Sequence, residues 1–246
     1  MTISRRLTAE FLGTAFLVAA VIGSGIMAER LSGGNVAIAL LAITIATGAA
    51  LVALILAFGP ISGAHLNPAV TLSVALENGI SWLESSQYIA VQILGGITGA
   101  VAAHLMFGLS AISPSHHARS GPAQFLSEFI ATFGLLCVIW GCSRSKSETV
   151  PYAVGAYITA AYWFTSSTSF ANPAVTIARS ISDTFAGIRP VDAPLFVIAQ
   201  LLGAISATFL FRWLTPAPST AAPSCVDPNS ANIKTRDSVA LIANEP

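Results

Sequence analysis

Charge is what this chain has least of: 9% of its 246 residues are Asp, Glu, Lys or Arg, whereas an ordinary soluble domain is about a quarter charged. Basic and acidic side chains cancel at 11 each, which removes the electrostatic case for binding nucleic acid. Cysteine is nearly as scarce. Cys137, Cys142 and Cys225 make neither a disulfide framework nor a metal-ligand spacing, and the first two read as small hydrophobes in or beside an apolar run. No pairing of nucleophile with base, no metal cluster and no cofactor-binding pattern is visible in the apolar runs, so neither an enzyme nor a cofactor is expected.

Apolar residues fill the space: 54% of the chain is hydrophobic and the mean hydropathy is +0.74. Membrane lipid is therefore the expected surrounding. A spanning helix needs about 20 mainly apolar residues, and six stretches are assigned on that basis: Leu7 to Ala28, Asn35 to Phe58, Tyr88 to Leu109, Gln124 to Cys142, a short fifth from Tyr152 to Thr168, and Pro194 to Leu214. The first is too long for a signal peptide, carries Glu10 and lacks a cleavage site, so it is read as retained. Residues 215–246, rich in Pro, Ser, Ala and Asn without periodicity, read as a mobile C-terminal tail to a single domain spanning 1–214.

The domain repeats internally, over about 7–109 and 124–214. "AEFLGTAFLV" from Ala9 matches "SEFIATFGLL" from Ser127, aligning Glu10 with Glu128; "AVQILGGITGA" from Ala90 matches "IAQLLGAISAT" from Ile198, aligning Gln92 with Gln200. Between these pairs each half carries Asn-Pro-Ala-Val-Thr, at Asn67 and at Asn172. Three spans per half is an odd number, so the second half enters the bilayer from the opposite face as an inverted repeat.

Pro68 and Pro173 suit the first position of a helix capped by Asn67 and Asn172, since a missing N–H costs nothing there. The apolar runs that follow, through Ala69 and Ala174, are near ten residues, or roughly 15 Å. Each is expected to be a re-entrant half-helix. Two such N-termini meeting head to head put two positive dipole ends and two amide donors at mid-membrane. That arrangement repels cations, turns a passing oxygen to accept, and so interrupts a proton file.

These motifs resemble the aquaporins, or major intrinsic proteins, from about Leu7 to Leu214: the paired Asn-Pro-Ala, "AEFLGT", and "SGAHLNPAVT" are all present. The resemblance implies an all-α membrane fold of six spanning helices and two half-helices, a homotetramer, cytoplasmic termini, and passage of small neutral solutes. Seven basic residues, Arg5, Arg6, Arg144, Lys146, Arg212, Lys234 and Arg236, fall in the segments so assigned to the cytoplasm, against Arg30, Arg119, Arg179 and Arg189 outside. Short loops suit a bacterial inner membrane.

The chain departs from the family at its constriction. Where most members carry Arg, it has Val175, and the family's ungapped spacing assigns the other three positions to Thr47, Ala160 and Ser169. All are small, so a wide opening is expected, admitting water, glycerol, urea, ammonia or neutral metalloid hydroxides such as arsenious acid. Arg179, one turn after Val175, either reaches back to restore the charge or pairs with Asp183 in the outer loops; pairing is the favoured expectation.

Gly63, Ala64 and His65 are assigned to the pore-lining stretch, with the His65 ring either bonded to backbone or acting as a gate. Glu10 and Glu128 are read as acceptors that hold the bent backbone before each half-helix, or else as proton carriers in a coupled transporter. An ion-conducting pore is a third class. His104 reads as structural, His116 and His117 as a weak metal or proton response at most, and Trp82, Tyr88, Trp163 and Trp213 as interfacial anchors.

Overall fold

The computed structural model describes residues 1–215; the expected tail beyond them, with Cys225, Lys234 and Arg236, lies outside the described residues. Among the described residues eight α-helices follow one another: α1 (Ile3–Leu31), α2 (Val36–Ser62), α3 (Pro68–Leu76), α4 (Trp82–Met106), α5 (Pro122–Ser143), α6 (Val150–Phe164), α7 (Pro173–Ser180) and α8 (Ala193–Leu214). By length and composition, α1, α2, α4, α5 and α8 could each cross a membrane.

The fifth span differs from expectation. Helix α6 has 15 residues and stops at Phe164, not Thr168. Thr165 turns extended, and its hydroxyl donates to the Ala161 carbonyl at 2.7 Å, occupying an acceptor at the helix end. A single 3₁₀ turn, Ser147–Thr149, leads into α6 and lengthens the rod at its other end.

Small residues set how closely the helices pack. A Cβ at Gly95 or Gly99 on α4 would overlap the Phe11 or Ala15 carbonyl of α1, and one at Gly203 on α8 would lie 2.6 Å from the Phe129 carbonyl of α5. The same contact is thus made at the same place in each half. Helices α2 and α6 cross between halves, with Gly48 against Gly155. Large apolar side chains such as Phe16, Ile45, Leu83, Leu94, Leu126 and Phe209 point outward, a distribution suited to hydrocarbon and unsuited to water.

Trp82, Trp163 and Trp213 are exposed near helix ends. Tyr88 is not an anchor of this kind: it is fully buried, accepts from Arg6 Nε at 2.8 Å and donates to the Ser62 carbonyl at 2.9 Å. Its hydroxyl has polar partners inside the bundle, so burial there leaves nothing unpaired.

Candidate solute pathway

Each half-helix is nucleated by its own Asn. The Asn67 side-chain oxygen accepts from Ala69 N at 2.9 Å; that of Asn172 accepts from Ala174 N at 3.0 Å and Val175 N at 3.3 Å. Pro68 and Pro173 occupy the first turn, where no donor is needed. The amide nitrogens cross over: Asn67 Nδ2 donates to the Ala171 carbonyl and Asn172 Nδ2 to the Leu66 carbonyl, both at 2.8 Å. An amide nitrogen carries two hydrogens. Each Asn therefore ties the two half-helices together with one N–H and keeps a second at the cavity that both residues line.

The segments preceding these caps are held in a conformation that L-residues avoid. Ala64 and Leu66 have φ of 45° and 48°, and Ser169 and Ala171, at the matching places, both have 49°. Left-handed backbone at a non-glycine residue costs about 1–2 kcal/mol, so something must hold it. Two buried carboxylates do. Glu10 accepts from Ser62 Oγ, His65 N, Leu66 N and Gln92 Nε2 at 2.7–2.9 Å. Glu128 accepts from Phe170 N and Ala171 N, both at 2.9 Å, and from Gln200 Nε2 at 2.6 Å. Every carboxylate oxygen has at least one donor, which is the condition for burying it without a counter-charge.

The strained segments line a cavity of about 260 Å³, through Gly63, Ala64, His65, Ser169 and Phe170. His65 Nδ1 lies 3.1 Å from the Thr71 hydroxyl and its ring sits beside Tyr88, so the imidazole is braced by side chains as well as carried by a bound backbone. Thr47 and Val175 also line this cavity. The Ser169 hydroxyl, buried with no partner among the described residues, is available to whatever passes.

Ala160 does not join them. It is exposed on the outer face of α6, and Tyr162 stands in the expected place, lining the cavity with its hydroxyl 3.2 Å from Thr47 Oγ1. Two residues along a helix is a turn of about 200°, enough to exchange the lining face for the outer one. The cavity-lining position of α6 stands ten residues before Asn172 and not twelve, so a small residue faces out and a phenol in.

Arg179 also departs from the favoured expectation. It is 1% exposed, its Nε donates to the Ala186 carbonyl, and its guanidinium carbon lies 3.3 Å from the centre of the Phe170 ring. Asp183 instead accepts from His116 N at 2.9 Å. A second cavity, about 240 Å³, opens between Val36, His117, Arg119, Thr168 and Phe185. Tyr162 and Arg179 line both cavities and so form the partition between them.

Sequence reasoning missed four residues here: Tyr162, Arg119, Phe170 and Asp192. Tyr162 lies ten residues before Asn172, where a spacing of twelve does not reach it. Arg119 donates to the Gly187 carbonyl at 2.8 Å and the Ser167 carbonyl at 3.1 Å, and Phe170 carries both arginines; neither has a positional signal, because the loop that delivers Arg119 is irregular. Asp192 pins that loop through Arg119 N at 2.8 Å and Arg189 Nε at 2.9 Å. Burial alone would push its carboxyl up, yet these donors hold it below the usual value. His104 bonds the Ala111 carbonyl and Ser182 Oγ and is structural. Among the described residues no three His, Cys, Asp or Glu groups gather to hold a metal.

The profile of the major intrinsic proteins matches residues 1–169 and again 144–242. Aquaglyceroporin AqpS of Rhizobium meliloti is 56% identical over 212 residues, 86% of this chain and 91% of that protein. Aquaporin Z of Rhodopseudomonas palustris is 30% identical, covering 86% of this chain and 93% of that one. The X-ray structure of the aquaglyceroporin from Plasmodium falciparum superimposes with a TM-score of 0.67 at 20% identity, over 87% of this chain and 98% of its own. Two capped half-helices, exchanging bonds across the middle of a helical bundle, are thus the fold of a known class of multi-pass membrane proteins: the chain belongs to the major intrinsic protein family.

Proposed function

We propose that the protein is a passive channel for water and small uncharged solutes such as glycerol, with no catalytic step. The observation that carries this reading is the pair of crossed asparagines, each with one N–H left facing the cavity. An uncharged oxygen accepts from both, while a cation meets two helix N-termini. We assign the narrowing to Thr47, Tyr162, Ser169 and Val175, with Arg179 supplying positive charge from one turn beyond the position where most members carry it. Urea, ammonia and metalloid hydroxides such as arsenious acid fall within the same chemistry, since a small-walled opening imposes few hydrogen-bond requirements.

The outward apolar side chains suit contact with lipid or with further copies of the chain, and the reading is of four copies side by side in a bacterial inner membrane with cytoplasmic termini. The two homologous halves are read as one channel domain, 1–214. The competing reading, a proton-coupled transporter using Glu10 and Glu128, is disfavoured because both carboxylates are fully engaged in holding backbone.

Val175→Arg tests the assignment by osmotic stopped-flow light scattering on proteoliposomes. A second guanidinium beside Tyr162 and Arg179 should slow glycerol re-swelling by roughly tenfold or more, a barrier of about 1.4 kcal/mol, while water efflux persists. Unchanged glycerol entry would remove position 175 from the pathway.

A further inference from the structure

The outer cavity is lined by two arginines, Arg119 and Arg179, that form no direct ion pair among the described residues. Arg119 and Arg179 both sit over Phe170, with guanidinium carbons 5.1 and 3.3 Å from its centre. Among the described residues neither side chain forms an ion pair. The nearby carboxylates are committed: Asp183 to His116 N, Asp192 to Arg189 and the Arg119 backbone, Glu128 to the segment below. Stacking on a ring occupies the face of a guanidinium and leaves its in-plane N–H groups free. Arg179 uses only Nε on the protein, and Arg119 uses Nε and one terminal nitrogen. Three terminal NH₂ groups therefore have no protein acceptor among the described residues, two of them on a side chain that is 1% exposed and lines the cavity.

Two like charges carried on one ring repel, and Glu128, which attracts both from the segment below, has its oxygens taken by Phe170 N, Ala171 N and Gln200 Nε2 and pairs directly with neither. We infer that the outer cavity is a seat for a small, singly charged oxyanion, a carboxylate or sulfonate, held by the free N–H groups of Arg179 and Arg119 with Tyr162 and Thr168 at its edge. Planar forks match two oxygens of one group, so these two chemistries are favoured over a spherical anion. Because Arg179 and Tyr162 form the partition, an occupied seat obstructs the neutral solute's path. The inference rests on the proposed pathway only for that obstruction; binding itself does not need it.

Methanesulfonate, which stays ionised and does not cross lipid, is the probe. Present on both sides of proteoliposomes at about 100 mM, it should slow wild-type glycerol re-swelling roughly threefold or more, and chloride much less, since chloride cannot take both bonds of a fork. Arg179→Gln keeps a donor for the Ala186 carbonyl, and Arg119→Gln keeps one for the Gly187 or Ser167 carbonyl; each is scored against its own anion-free rate and should lose the slowing. The thermal midpoint of detergent-purified protein is read in parallel, expected to rise with methanesulfonate in the wild type and not in either variant. A wild type indifferent to the anion in both assays, or slowing that survives both substitutions, overturns the seat. Absent glycerol flux without anion would instead overturn the channel reading, leaving the midpoint to decide the seat.

Discussion

Replacing Glu128 with Gln changes one oxygen to NH₂ and little else in shape. The carboxylate is fully buried and accepts from Phe170 N, Ala171 N and Gln200 Nε2. If the amide oxygen takes the Ala171 and Gln200 bonds, its NH₂ faces Phe170 N–H, donor against donor. An unpaired buried donor costs about 1–3 kcal/mol, and each remaining bond loses about 1 kcal/mol of charge assistance. Relief from burying a charge offsets part of this, which leaves a destabilisation of about 2–4 kcal/mol. At 2–4 °C per kcal/mol for chains of this size, the thermal midpoint in detergent should fall by roughly 5–15 °C. The orphaned donor is on Phe170, which also carries both arginines, so the loss of order reaches the outer partition. Glycerol flux per folded protein should change less than yield or midpoint, and it should remain indifferent to a pH gradient. A variant with wild-type stability but without a pH-driven component of uptake that the parent possesses would refute the reasoning and make Glu128 a proton carrier.

Two further outcomes follow from packing and register. Gly99→Ala sets a methyl group against the Ala15 carbonyl at a backbone-to-backbone contact, where neither helix can yield cheaply; a loss of about 1–3 kcal/mol is expected, measured as a lowered midpoint and a reduced yield of folded protein. Tyr162→Ala should open the partition and speed re-swelling by polyols larger than glycerol, whereas Ala160→Phe, on the outer face, should leave every solute rate as it was. Equal effects from both would mean that α6 is rotated from the register described here.

The sequence carries the fold because the fold rests on local signals repeated twice. Asn-Pro fixes a helix start wherever it stands, and Glu10 and Glu128 were legible as backbone acceptors because a buried charge needs donors and the repeat supplies two copies of the same need. The rim of the pathway was less legible for a reason of the same kind. Which face of α6 looks inward depends on the length of the connection to Asn172, and a two-residue difference in irregular chain changes no composition and breaks no pattern, yet exchanges Ala160 for Tyr162. Arg179 was misjudged on a general preference for i, i+4 pairing with Asp183. Its actual partners, Phe170 and the Ala186 carbonyl, lie on separate segments that only the tertiary fold brings together.

The account's central claim is that neutral solutes pass down their gradient through a fixed polar path. Its most direct test is the initial rate of radiolabelled glycerol uptake into wild-type proteoliposomes, measured across a wide range of glycerol concentration with and without an imposed pH gradient. A rate that climbs in proportion to concentration and is the same under both conditions is the expected result; saturation at low concentration together with acceleration by a proton gradient would contradict it.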